Sequence, residues 1–274
     1  MGLGSNAEQA MNEHRSRITV TVVLIVSLAL LGGVAGFYCR SQGPMFDRDR
    51  RAQSGPQMAA AIQELVDAWD HVQMASAKVD TVLDAAGGLE GGTKGEGRYD
   101  FLKDNGHTSI HFKLTNMLRI KSPEEGENVE YWTAERLIFV TDGAVLFRFV
   151  EQSKHKTVTK VEYDPDDILQ VGGRLLLDAL QRDNRLSLMP DQTLQGKDVY
   201  VIEAESLADG SKTIHYFDKA TGIRLKMAEL DQSGGDYLTI TLSELDLSPQ
   251  FEPDHFTMTP SEGVEWVDET SGTP

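Results

Sequence analysis

A chain of 274 residues with 43 acids against 26 lysines and arginines carries a net charge of −17. Six arginines less four acids leave residues 1–51 at +2, so the remainder holds −19, a field that repels nucleic acid and anionic membrane surfaces. The single cysteine, Cys39, leaves everything beyond it without a disulfide or a cysteine-based metal, redox or thiol site.

Between Arg17 and Arg40 the 22 residues ITVTVVLIVSLALLGGVAGFYC carry no charge. At about 1.5 Å rise per residue a helix over them spans roughly 33 Å, enough for a hydrocarbon core of about 30 Å. A cleaved signal peptide needs an apolar stretch of only about 7–15 residues. Residues 18–38 are therefore expected to form a single N-terminal transmembrane helix, a signal anchor, with residues 1–17 a short cytoplasmic tail. The competing reading is a signal peptide cut after Gly36, behind the small residues Val34-Ala35-Gly36. Arg15 and Arg17 precede the run while Arg40, Arg48, Arg50 and Arg51 follow it, so counting cations alone slightly favours the opposite orientation. The N-in orientation is preferred because a short tail before a large domain is how signal sequences insert. That places the chain in the inner membrane, single-pass, with its C-terminal domain in the periplasm. Lipid anchors fit poorly: the bulky Phe37-Tyr38 precedes Cys39, and position 6 is Asn6, where myristoylation wants Ser or Thr.

Residues 39–57, with two Gly-Pro pairs and no periodicity, read as a linker. An amphipathic helix is expected over Met58–Ala75, its stripe made of Ala59, Ile62, Leu65, Val66, Trp69 and Val72. A strand over Ala77–Leu83 follows, then a flexible loop over Ala85–Gly97 with six glycines. Gly92-Thr93-Lys94 in that loop lacks the spacing of a phosphate-binding loop. Short strands with turn signals come next: Arg98–Lys103 and Ser109–Asn116 around Asp104-Asn105-Gly106, Arg136–Thr141 and Val145–Glu151 around Asp142-Gly143, then Thr157–Tyr163. After a short helix near Val171–Arg182 come Leu186–Met189, Val199–Glu205, Thr213–Asp218, Ile223–Leu230 and Tyr237–Leu247. No strand–helix–strand alternation occurs, so the expected class is mainly β (α+β): an antiparallel meander of about ten strands, one face apolar and one wetted. With two short helices to cover it, such a sheet has to curl, giving a strongly curved incomplete barrel with the N-terminal and mid-domain helices on its concave face.

The hairpin around Phe139-Val140-Thr141-Asp142-Gly143 with Leu146-Phe147 resembles that of the LolA/LolB-like lipoprotein carriers. So do Tyr200-Val201-Ile202, His215-Tyr216-Phe217-Asp218, Thr221-Gly222-Ile223, Tyr237–Leu242, Phe256-Thr257 and Gly263-Val264, in the order that superfamily shows. The resemblance covers roughly residues 58–268, leaving 269–274 as a tail, and extends to domains like that of the stress-sensor protein RseB. It implies a half-pipe whose concave apolar face holds acyl chains under helical lids. The Arg-Pro pair of the carriers is absent: Arg98-Tyr99 and Arg119-Ile120 stand instead, and there is no lipobox.

The resulting expectation is a membrane-tethered envelope protein that binds acyl chains or lipoproteins in an apolar cavity without catalysis. The alternative is a sensory or interaction module contacting a partner, such as a membrane protein. Candidate cavity residues are Phe101, Phe112, Phe139, Phe147, Leu176, Leu225, Met227 and Phe256. No cofactor, metal or nucleic acid is expected. His107 and His111 have a helical metal spacing, but on a strand they stand about 13 Å apart and read as two solvated histidines. Asp164, Asp166 and Asp167 read as a turn and helix cap, and Asp231–Asp236 as a hairpin turn without the alternating ligands and closing Glu of a calcium loop.

Overall fold

The computed structural model describes residues 55–83, 93–104, 107–121, 130–152, 155–164, 169–231, 233–259 and 261–270. Two compact units are distinguished, one of Met1–Phe46 with Asp164–Gln170, the other of Asp47–Tyr163 with Val171–Pro274. In the first, only Asp164, Leu169 and Gln170 are described. The second holds every helix and strand discussed below. The expected membrane span, residues 18–38, lies outside the described residues, among which no helix is long and apolar enough to cross a membrane.

Helix α1 (Pro56–Asp70) opens with proline in its first turn, where a missing N–H costs nothing, two residues inside the expected linker. It stops five residues before the expected end. The residues Val72 and Ala75 happen to continue the helical spacing, but Met74 onward pairs with strands on both sides, and that ladder wins. The strands are β1 (Met74–Leu83), β2 (Thr93–Asp104), β3 (His107–Lys121), β4 (Glu130–Thr141), β5 (Val145–Gln152) and β6 (His155–Glu162). Helix α2 (Arg174–Asp183) follows, then β7 (Asn184–Leu188), β8 (Gln192–Leu194), β9 (Lys197–Ser206), β10 (Lys212–Asp218), β11 (Arg224–Leu230), β12 (Asp236–Asp246) and β13 (Glu265–Asp268).

All thirteen strands form one large, open, curved sheet in the order β13-β6-β5-β4-β3-β2-β1-β12-β11-β10-β9-β7, with β8 added beside β9. The path ends at β13 and β7, so it is not a closed barrel. Two consecutive meanders, β1–β6 and β9–β12, are joined through the β1–β12 pair. Strand β13 is the departure from the expected meander: it runs parallel to β6, with Trp266 opposite Val158. The first residues of β2 fall in the expected glycine loop. Here glycine serves the ladder: a Cβ on Gly97 would stand 1.9 Å from the Lys113 carbonyl oxygen. The Asp142-Gly143 turn is as expected, Asp142 Oδ1 accepting from the N–H of Ala144 (2.9 Å) and Val145 (3.1 Å). At the Asp231 turn the same carboxylate oxygen accepts from the N–H of Ser233 (2.8 Å) and Gly235 (2.9 Å), the capping expected of a hairpin. The expected Asn105-Gly106 turn and Asp166-Asp167 lie outside the described residues.

Directly paired residues share a face of a sheet, so the register assigns every side chain. One face carries α1. The helix stripe Met58, Ala61, Ile62, Leu65 and Val66 buries against Leu176 and Leu177 of α2, Leu188 of β7, Ile202 of β9 and Phe217 of β10. The same face continues through Leu242, Val79, Tyr99, Phe112, Phe139 and Leu146, each at most 3% exposed. The opposite face departs from the wetted surface expected of it. At β2–β6 it is covered by the C-terminal segment, whose Trp266 ring lies 6.0 Å from Phe147 and whose His255 lies against Asp100 and His111. Buried Phe149 and Val158 complete that covered patch.

Candidate functional site

Three of the expected cavity residues form a row on the helix face. Phe101 pairs with Ile110 next to the Tyr99–Phe112 pair, and Phe112 pairs with Phe139. Their rings touch in sequence, Tyr99–Phe101 at 6.5 Å, Tyr99–Phe112 at 6.0 Å and Phe112–Phe139 at 6.1 Å. Met227, opposite His215 and Ile240, is on the same face and half-buried. Leu225 is buried beside the register shift at the start of β11, and Leu176 belongs to the α1 cluster. Phe147 and Phe256 are elsewhere. Phe147 pairs with Val140 and Lys160, which sets it opposite Phe139, and Phe256 packs on Phe251 and His255 over the other face. These two side chains cannot wall the same surface as the other aromatics.

Helix α1 is attached to the sheet by two polar contacts, one at its C-terminal end and one at its middle. The Lys103 ammonium donates to the Trp69 carbonyl oxygen at 2.5 Å and stands 4.0 Å over the Trp69 ring, whose centroid lies 4.9 Å from that of Phe101 with the planes tilted by 33°. Partial burial brings the Lys103 pKa down to about 8. On the outward side of the helix, the Tyr200 hydroxyl donates to Glu64, and that bond, with burial, pushes the phenol up to about 12. Where α1 gives way to β1, an open groove of about 430 Å³ is lined by His71, Val72, Gln73, Met74, Leu247, Ser248 and Gln250. None of the expected cavity residues lines it. Its volume falls in the range of small-molecule sites.

A polar cluster interrupts the helix face at β10–β11. The Arg224 guanidinium donates to His215 Nδ1 at 3.3 Å, which leaves His215 Nε2 to carry the proton and donate to Thr213 Oγ1 at 2.8 Å. Burial, then the Arg224 charge, holds the imidazole well below its ordinary pKa; burial brings Arg224 down to about 10. The sign follows. His215 stays neutral in the fold while the unfolded chain binds a proton below about pH 6.5, so stability falls as pH drops through that value. The expected slope from this residue approaches about 1.4 kcal/mol per pH unit. His215→Gln should flatten the stability–pH curve between pH 6.5 and 5 in urea titrations; an unchanged slope would contradict the assignment.

The opposite face holds a second cluster that sequence spacing does not reveal. Asp100, 2% exposed, pairs directly with His111 across β2 and β3. Its Oδ1 accepts from Ser76 Oγ and from Arg98 Nε at 3.0 Å, and its Oδ2 contacts His255 Nε2 at 2.9 Å. The rings of His111 and His255 lie 4.7 Å apart. Burial, then the neighbouring His255, holds His111 below its ordinary pKa. His107, expected to be solvated, is exposed at the start of β3 beside Gly143, whereas His111, expected to be solvated as well, is half-buried in this cluster. The true neighbours are 11 residues back across a hairpin and 144 residues onward, and only the register and the path of the C-terminal segment could pair them.

No family model matches the sequence, and no curated protein matches it. Solved structures do. An uncharacterised conserved protein from Thermus thermophilus matches at 13% identity and TM-score 0.44, over 76% of this chain and 98% of its own. An outer-membrane lipoprotein-sorting protein domain from Vibrio parahaemolyticus matches at 16% identity and TM-score 0.35, over 72% of this chain and 95% of its own. A LolA-superfamily protein from Nitrosomonas europaea matches at 12% identity and TM-score 0.28, over 72% and 97%. These likenesses, at 16% identity or below, concern the fold.

Proposed function

We propose that this chain is a non-catalytic binding protein of the bacterial envelope, held to the inner membrane by residues 18–38, that takes an acyl chain, free or on a lipoprotein, against the helix face of its sheet. One observation carries the reading. Nine neighbouring strands, from β5 through β9 in the sheet order, place apolar side chains on the same face, and α1 and α2 are the helices among the described residues that pack there. Helix α1 covers part of that face through its apolar stripe, with polar contacts at Lys103 and Glu64 beside it, and lifting it would open the face to a ligand.

Fluorescent fatty acids of increasing length, titrated into the full chain in mild detergent, test this. Affinity should rise about fourfold per methylene, the equivalent of about 0.8 kcal/mol for each buried CH₂. Met227→Glu, on the helix face and half-buried, should abolish the length dependence while leaving the fold intact by circular dichroism. A second reading is favoured by the near-complete burial of Phe101, Phe112 and Phe139, at 1%, 0% and 3% exposure. There the face is filled by the protein's own side chains, and the domain contacts a partner protein. A folded chain that binds no acyl chain of any length would establish that reading instead.

A further inference from the structure

From the opposite face of the sheet, we propose that Asp100, His111 and His255 form a divalent transition-metal site, fitted to Zn²⁺, that fastens the C-terminal segment to the sheet. One potential ligand atom from each residue lies within 4.8 Å of the others. Two imidazoles and one carboxylate are a donor set that zinc takes with a fourth position left to water. Two features separate this cluster from an ordinary buried ion pair.

The first is an orphaned ligand atom. His111 Nδ1 is buried and has no hydrogen-bond partner, a costly condition for a neutral imidazole unless something electrophilic satisfies it. The second is the way Asp100 is held. Ser76 and Arg98 both bond Oδ1, which leaves Oδ2 turned to His255. Metal-binding carboxylates are characteristically fixed by such outer contacts.

The ligands also differ usefully in mobility. Asp100 and His111 are set by adjacent strands, whereas His255 arrives on a turn beyond β12 and is 24% exposed on its side chain. Zinc–nitrogen bonds of about 2.0–2.1 Å place tetrahedral ligands roughly 3.3 Å apart. His255 Nε2 and Asp100 Oδ2 already stand 2.9 Å apart, so the separation that has to close is the one to His111, and the exposed edge of His255 leaves the ion a path from solvent. Phe251 stacks on the His255 ring at 4.8 Å and Phe256 packs on its edge at 4.9 Å, so the residue that would bind the ion also positions this part of the segment. Loss of the ion should therefore loosen the segment first.

Zn²⁺ alone, titrated into the metal-free full chain and followed by calorimetry and metal analysis, tests the site. One ion per chain is expected. His111→Gln and His255→Gln should each remove that binding, and Ser76→Ala should weaken it by about 10–100-fold by releasing Asp100. His155→Gln, exposed at the start of β6, should bind as the wild type does. Zinc should also slow proteolysis between β12 and β13 in the wild type and not in His255→Gln. Should a ligand variant fail to fold, Co²⁺ added to the wild-type chain decides: visible d–d bands of a low-coordinate nitrogen–oxygen site support the proposal. Wild-type affinity retained in folded His255→Gln, or Co²⁺ bound without such bands, overturns it and leaves a metal-free His255–Asp100 hydrogen bond.

Discussion

Trp69→Ala is expected to destabilise the folded domain by about 3 kcal/mol, the lower end of the usual range of about 3–5 for removing a large core aromatic. The lower end applies because the indole is only half-buried. Three features converge on it: the ring packs 4.9 Å from Phe101, the Lys103 ammonium lies 4.0 Å over it, and Gly172 and Gly173 approach its other atoms. Truncation leaves a void between helix and sheet, and it deprives Lys103 of its aromatic face while leaving the carbonyl bond in place. Urea denaturation measures the cost. A loss below about 1 kcal/mol would mean that α1 is not docked through this ring. Since Trp69 connects α1 to the row Phe101–Phe112–Phe139, the same variant should also change acyl binding if α1 is a lid.

Gly222→Ala is expected to cost about 3–4 kcal/mol, from two separate sources. The residue sits at φ +67°, where an L side chain costs roughly 1–2 kcal/mol. A Cβ there would stand 2.3 Å from the Leu65 carbonyl oxygen and 2.9 Å from the Trp69 backbone nitrogen, and overpacking of this kind adds about 1–3 kcal/mol. Because both near atoms are backbone, no side-chain rotation relieves the contact. The turn from Asp218 to Ile223 cannot yield readily either, since the N–H of Gly222 bonds the Asp218 carbonyl oxygen at 2.8 Å and Thr221 Oγ1 donates to Asp218 Oδ2 at 2.8 Å. The double variant with Trp69→Ala provides the control. If backbone contact is the cause, Gly222→Ala should cost nearly as much in the Trp69→Ala background; near-complete relief would place the clash on the indole instead.

Both effects concern the joint between α1 and the sheet, which is also where reading the sequence ran into its limit. The stripe residues Ile62, Leu65, Val66 and Trp69 placed the helix and most of its inward face, because the 3.6-residue period is a local property; Ala59, expected in the same stripe, is exposed, and Met58 and Ala61 are buried in its stead. The end of the helix was not local. Val72 and Ala75 satisfy the same period, and only the pairing of β1 with β2 and β12 turns them into strand. Hairpins and strands were legible for the same reason that the helix was: alternation and Asp-Gly or Asn-Gly turns act over a few residues. Strands β8 and β13, three and four residues long, carry too little pattern to be seen, and β13 owes its position to β6 more than 100 residues earlier.

What remained for the tertiary structure was the assignment of faces and of distant neighbours. Phe139 and Phe147 look equivalent in sequence. The register across the Asp142-Gly143 turn pairs Phe147 with Val140 and so sends it to the other side of the sheet. A shift of one residue would have reversed every such assignment, and no composition or period encodes that shift. The cluster of Asp100, His111 and His255 depends on register once more and on the course of the C-terminal segment. By itself the sequence determined what is additive along the chain: an uncharged run of 22 residues, an acidic domain without thiol chemistry, a helix followed by many short strands with apolar alternation. The tertiary structure decided what depends on long-range pairing, namely which apolar side chains share a surface and which histidines meet a buried carboxylate, because backbone hydrogen bonds between distant strands set the parity of every side chain they carry.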